Sequence, residues 1–252
     1  MNLVICMAGR NTRFHDVGID IPKYLLPLAG KPAIESIVEN LISDDAFSNV
    51  YLVAHERDIY FKDELITALG SLSIDPKNLL YVGETNGQAD TANLALSLLD
   101  IDQSVSVVFH NADTVLLDRN TEALRNTLLS GSGAIDVFSA ESPSYSYVRI
   151  EGDEILEIAE KRVISNWATS GLYGFPSGTL FQKYFEKLLM SKAPLPTNEL
   201  YISDVINLML NERIRFQPLG NELEESTTTF VMGSPEEYRL IQTTSMFSNY
   251  AN

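Results

Sequence analysis

The feature that most constrains this chain is a strand that opens into a basic, turn-prone loop within its first 31 residues. Leu3-Val4-Ile5-Cys6-Met7 is an apolar run of strand length, and it passes without a break into Ala8-Gly9-Arg10-Asn11-Thr12-Arg13-Phe14. Ile21-Pro22-Lys23 and Gly30-Lys31-Pro32 follow. Backbone N–H groups just past a strand end have no ladder partner and can converge on an anion, while Arg13 and Lys23 add fixed positive charge. Residues 1–31 hold Arg10, Arg13, Lys23 and Lys31 against Asp16 and Asp20, in a chain of net charge -16. A net +2 here leaves -18 for the remainder. A cationic island on an acidic chain suits a small polyanionic ligand and argues against nucleic acid, whose backbone the rest of the surface would repel.

The residues downstream repeat the strand-then-helix theme. Ile34, Ile37, Val38, Leu41 and Ile42 fall on one helical face, Val50-Tyr51-Leu52-Val53-Ala54 reads as a buried strand, and 58–69 as a helix. Leu79 to Val82 predicts a strand, Ala89 to Leu99 a helix and Val105 to Phe109 another strand. Such alternation predicts an α/β, Rossmann-like fold with a mostly parallel, mixed sheet flanked by helices, whose ligands bind at the carboxyl ends of the strands. Gly9 and Asp113 both fall at such ends. The second half is patterned differently. Tyr145 to Ile150, the turn Glu151-Gly152-Asp153-Glu154 and Ile155 to Ile158 predict an antiparallel hairpin, followed by a strand over Ala168 to Phe175. Helices are expected from Ser177 to Met190, from Tyr201 to Leu210, and over 235–243 after the capping-box pattern Ser234-Pro235-Glu236-Glu237.

No linker, low-complexity tract or repeat interrupts the 252 residues, so a single domain over 1–252 is expected. The single cysteine, Cys6, lies inside the first strand and rules out a disulfide framework. With no basic leader and no apolar run of membrane-spanning length, a soluble, unprocessed, cytoplasmic protein is expected, with no membrane partner. The three histidines have no ligand spacing, and neither a P-loop, a GxGxxG nor a Gly-x-Ser-x-Gly elbow occurs.

Met7-Ala8-Gly9-x-x-Thr12-Arg13-Phe14 with Pro22-Lys23-x-Leu25-x-Pro27-Leu28-x-Gly30-Lys31-Pro32 resembles the signature of the sugar-phosphate nucleotidylyltransferases, in the short form without a β-helix. These join a nucleoside triphosphate to a sugar 1-phosphate and release pyrophosphate. The resemblance implies a triphosphate-binding half over 1–115 and a sugar-phosphate-binding, antiparallel half over 116–252. It implies that Ala8, Gly9, Asn11 and Thr12 cradle phosphates, that Arg13 faces the leaving pyrophosphate and Lys23 the α-phosphate. Asn11 stands where the family has a second glycine, an exchange Asn tolerates because it enters the left-handed region cheaply.

Asn111-Ala112-Asp113 resembles the family's Asn/Gly-x-Asp element, which implies Asp113 as a Mg²⁺ ligand and Asn111 as a nucleotide contact. Gly83 to Ala92, with Glu84, Gly87 and Gln88, resembles the turn that reads the base. Glu160-Lys161 resembles the family's sugar- and phosphate-binding pair, and Asn166-x-x-Thr169-x-Gly171-Leu172-Tyr173 the strand that lines its sugar pocket. Read without the family, Lys23 is a solvated loop lysine, Glu160-Lys161 an exposed hairpin pair and Glu84 to Gly87 an ordinary turn. Asn198 to Asp204, with Glu199 and Asp204, reads as a further substrate-facing segment. Many relatives complete the metal site with Asp-x-Gly-Thr-Pro; here the run is Val231-Met232-Gly233-Ser234-Pro235, with Val231 at the aspartate position. Nucleotide-sugar synthesis for surface polysaccharide is the leading function. A cytidylyltransferase for a non-sugar phosphate and a catalytically silent nucleotide-binding regulator are the alternatives, and a homo-oligomer is compatible with each.

Overall fold

β1 (Asn2–Met7) is apolar on both sides because both of its faces are covered, which is the situation of a central strand in a parallel sheet. The computed structural model describes residues 1–42, 44–191, 199–220, 228–244 and 247. The chain continues through α1 (Thr12–His15), β2 (Pro27–Leu28), β3 (Lys31–Pro32), α2 (Ala33–Ile42), β4 (Asn49–His55), α3 (Lys62–Ser71), β5 (Leu79–Val82), α4 (Gln88–Leu98), β6 (Val107–Asn111) and β7 (Thr114–Leu116). It then forms α5 (Thr121–Leu129), β8 (Gly133–Ser139), β9 (Tyr147–Glu151), β10 (Glu154–Ala159), β11 (Trp167–Phe175), α6 (Gly178–Met190), α7 (Ile202–Asn211), β12 (Phe216–Leu219), β13 (Thr229–Val231) and α8 (Pro235–Thr243).

The sheet is parallel in its first half and largely antiparallel in its second. β5, β4, β1 and β6 are consecutive parallel neighbours; β11 joins β6 antiparallel, β8 and β9 pair with β11, β10 with β9, and β12 runs parallel to β8. Side chains of β1 alternate between two cores. Leu3, Ile5 and Met7 pack with Ile34 and Val38 of α2, Leu65 of α3 and Leu124 of α5. Val4 faces Ala92 and Leu96 of α4 and Phe181 and Phe185 of α6. A third, smaller cluster joins Phe14, Leu26, Met232 and Tyr238, which seats α8 against the first loop.

The predicted elements are found with small shifts and one change of type. The helix expected over 58–69 begins as a 3₁₀ turn, Glu56–Phe61, because the His55 side chain caps Arg57 N–H at 3.0 Å and Phe61 leaves the helical region before α3 starts. α8 has the predicted bounds, with Ser234 accepting from Glu237 N–H at 3.2 Å. Ser234→Ala is expected to cost about 1 kcal/mol of stability in urea unfolding, the usual value of an N-cap. Among the described residues no helix is long and apolar enough to cross a membrane.

Candidate active site

Two adjacent parallel strands bring the two halves of the predicted site together. β1 and β6 are in register with Cys6 opposite Asn111, so Gly9 and Asp113 each lie two residues past neighbouring strand ends. The chain leaves β1 toward β4 on one side, while β6 lies on the other, and a crevice opens where the connections diverge. A cavity of about 550 Å³ occupies it.

Ala8, Gly9, Asn11, Thr12 and Arg13 line this cavity on one wall. Asn11 adopts φ 57, ψ 20, the left-handed conformation for which Asn is suited. Its Nδ2 donates to Ile21 O at 3.3 Å, which fastens the loop to the segment leading into Lys23. Arg57 donates to the Gly9 carbonyl from behind. A Cβ placed on Gly9 would meet nothing within 4 Å, so nothing in the protein itself demands glycine there; the open side faces the cavity.

At the floor, Lys23 Nζ donates to Asp113 Oδ2 at 2.6 Å. The two side chains are 24% and 17% exposed, so this is a mostly buried ion pair rather than a solvated loop lysine. Burial alone pushes the Asp113 carboxyl up. The Lys23 charge and hydrogen bond, with help from His110 and Thr114, outweigh burial and hold it below the usual carboxylate range. Beneath it, His110 is wholly buried, is pushed down to about 4 by burial, and donates Nε2–H to Thr114 O at 2.9 Å. Arg13 Nη1 reaches across to the Gly233 carbonyl at 3.4 Å.

The turn before α4 supplies a second wall with Glu84, Gly87 and Gln88. Glu84 is held between Arg10 Nε at 3.6 Å and His55 Nε2 at 3.2 Å. Gln88 Nε2 donates to Asn111 Oδ1, joining this wall to the end of β6. Gly87 has φ +122, and a Cβ on it would lie 2.6 Å from Leu200 O, so the protein's own backbone demands this glycine. Leu200 N–H donates to Asn86 O at 2.6 Å and Ala89 N–H to Leu200 O at 2.9 Å.

The opposite wall comes from the antiparallel half. Glu160 and Lys161 line it, and Glu160 Oε2 accepts from Ser146 and from Ser203 at 2.8 Å. Lys161 Nζ lies 4.6 Å from the Tyr201 ring centroid and donates to its hydroxyl. Gly171 is not part of the lining; its φ is +88, and a Cβ there would overlap the Asn111 side-chain amide, so Gly171 makes the space that Asn111 fills. Asn166 is exposed ahead of β11 and is also outside the lining. Of the segment read as substrate-facing, Glu199 lines the cavity, whereas Asp204 accepts from Tyr201 N–H at 3.0 Å and caps α7; Asn198 lies outside the described residues.

Among the lining side chains that sequence reasoning missed are Tyr145, Tyr201 and Glu237. Tyr145 donates to Glu237 Oε1 at 2.8 Å, and burial first, then that carboxylate, pushes its hydroxyl pKa up. Tyr201 sits near Glu199 and Glu237 in the capping-box run, so the positions of these two were visible but their direction was not.

Comparison with known proteins agrees with this architecture. The nucleoside-diphosphate-sugar pyrophosphorylase from Vibrio cholerae RC9 superposes with a TM-score of 0.82 at 23% identity, over 96% of this chain and 100% of that one. The inositol-1-phosphate CTP transferase from T. maritima gives 0.67 at 15% identity, over 96% and 94%. In sequence, the bifunctional protein GlmU of Methanocaldococcus jannaschii is 27% identical over 218 residues, covering 84% of this chain and 47% of that protein. The chain thus spans about half the length of the curated relatives it matches. The family model described as nucleotidyl transferase matches residues 3–221, and the chain belongs to that family.

Proposed function

We propose that the protein is a nucleotidylyltransferase that couples a nucleoside triphosphate to a sugar 1-phosphate, in cytoplasmic nucleotide-sugar synthesis for surface polysaccharide. Residues 1–115 bind the triphosphate and residues 116–252 the acceptor. A phosphate oxygen of the acceptor attacks the α-phosphorus; the new P–O bond forms as the bond to the bridging oxygen breaks, and pyrophosphate carries away the electron pair. Two polyanions must be forced together, so catalysis is chiefly positioning and charge neutralisation. The observation that carries this reading is the cation pair Arg13 and Lys23 on the rim and floor of one cavity, with Asp113 beneath.

In this mechanism Lys23 exchanges its bond to Asp113 for the α-phosphate, and Arg13 neutralises the departing pyrophosphate. Lys161, on the facing wall, binds the acceptor's phosphate, and Glu160, oriented by Ser146 and Ser203, accepts from sugar hydroxyls. The turn with Glu84, Gly87 and Gln88 holds the base. The donor chemistry suits Mg²⁺: Asp113 offers a hard oxygen, and the space that a Cβ on Gly233 would fill lies 3.2 Å from its Oδ2. Bound there, Mg²⁺ would neutralise phosphate oxygens as a Lewis acid.

The test is a panel of nucleoside triphosphates against sugar 1-phosphates with pyrophosphate release as the readout. At least one sugar pair should turn over and outpace inositol or other non-sugar phosphates; a chain that binds triphosphates yet releases no pyrophosphate with any acceptor would be a silent regulator. In the active pair, Asp113→Asn is expected to abolish turnover or its dependence on Mg²⁺, because an amide oxygen is a poorer ligand than a carboxylate. An unchanged Mg²⁺ titration would move the metal elsewhere.

A further inference from the structure

The nucleotide half of the cavity offers only Asp113 from the family's metal pattern, since Val231 replaces the second carboxylate. β13 pairs with β7 so that Val231 lies opposite Thr114, beside Asp113, and contributes an apolar side chain to the lining. Six residues later, α8 brings a carboxylate to the same place. A Cβ on Gly233 would sit 3.2 Å from Asp113 Oδ2 and 3.4 Å from Glu237 Oε2, so both oxygens border one small gap that Gly233 leaves empty of side chain.

The direction of Glu237 is not explained by its local role. In a full capping box the carboxylate at the fourth position reaches back to the N–H of the cap residue. Here Ser234 accepts from Glu237 N–H, but the Glu237 side chain turns away to Tyr145, whose hydroxyl binds Oε1 at 2.8 Å. That bond fixes the carboxylate and leaves Oε2 on the gap. The carbonyl of Gly233 accepts from Arg13 Nη1 at 3.4 Å.

We propose that Glu237 is the second metal carboxylate of this chain, supplied by α8 in place of the residue at 231, and that it shares one divalent cation with Asp113. The inference rests on the reading of the site as a metal-assisted nucleotidyl transfer site. It assigns Tyr145 the part of positioning residue.

Direct metal binding tests it without turnover. Mn²⁺ is titrated into the full chain and the free ion followed by electron paramagnetic resonance. Glu237→Gln keeps an oxygen for Tyr145 but removes the charge, and is expected to weaken Mn²⁺ by roughly tenfold or more, as is Asp113→Asn. Gly233→Ala, which removes no ligand but fills the gap, should weaken it as well. Glu236→Gln, an exposed neighbour in the same helical turn, should bind as wild type does, and melting curves confirm that each variant is folded. Wild-type affinity in Glu237→Gln, or no Mn²⁺ binding by the unaltered chain, overturns the proposal. If Mn²⁺ binds with this pattern but no substrate pair releases pyrophosphate, the shared cation stands and the proposed reaction falls.

Discussion

Lys23→Ala is expected to lower pyrophosphate release by on the order of 10²-fold or more, the usual cost of removing one positioned donor from a phosphoryl-type transition state. Its second effect follows from burial. A lysine in an open loop could be truncated without consequence for the fold, which is what the sequence suggests for Lys23 and Arg13 alike. In the structure only Arg13 fits that description; Lys23 is three-quarters buried and holds Asp113 at 2.6 Å. Removing the ammonium leaves a mostly buried carboxylate uncompensated, at a cost of about 1–3 kcal/mol once residual solvent screening is allowed for. For a chain of this length that corresponds to a melting temperature lower by roughly 2–4 °C per kcal/mol. Adding Asp113→Asn to Lys23→Ala should return most of the stability and none of the activity. A double variant as unstable as the single would show that the lysine stem, not the charge pair, carries the effect, and near wild-type turnover in Lys23→Ala would remove the residue from catalysis.

Gly171→Ala should be almost as damaging, although Gly171 does not line the site cavity. Two costs combine there. A side chain at φ +88 is disfavoured by about 1–2 kcal/mol, and the added methyl would overlap the side-chain amide of Asn111. Overpacking of that kind typically adds about 1–3 kcal/mol. Because Asn111 accepts from Gln88, its displacement also loosens the wall assigned to the base. The expected signature is a lower melting temperature together with a raised KM for the triphosphate. Loss of stability with an unchanged KM would confine Gly171 to packing.

The parallel half was legible because its strands have apolar centres and its motifs sit at strand ends, where topology leaves little choice. The rest was obscured by residues that contradict their elements. β8 carries Asp136 in mid-strand, where pairing with Arg119 Nε at 2.7 Å, with help from Ser170, offsets part of the cost of burying that carboxylate. The ends of β8 and β12 are locked by Gly133, where any Cβ would run into the Phe216 ring, a contact between residues 83 apart in sequence. Nothing local announces such a pairing. In the site, most motif residues contiguous in sequence line one cavity, whereas Glu237 and Tyr145 meet through a hydrogen bond across 92 residues, and a capping pattern suggested a different use for the glutamate. Asp204 erred in the opposite sense: a charge next to a motif, it is consumed by its own helix.

The backbone clasp between the turn at Asn86 to Ala89 and Leu200 has a consequence for the order of events. The turn belongs to the first half of the chain and Leu200 to the second, yet two hydrogen bonds and the bare glycine between them make them one body. Neither wall can tighten on its occupant without carrying the other. Each substrate is therefore expected to change the affinity for the other, by a factor that linkage makes the same in either order of addition. Dissociation constants measured for each substrate alone and in the presence of its unreactive partner should differ by that factor, and equal constants would show that the walls act independently. An inserted side chain at position 87 would uncouple the walls, and the enzyme would meet its two anions as independent guests.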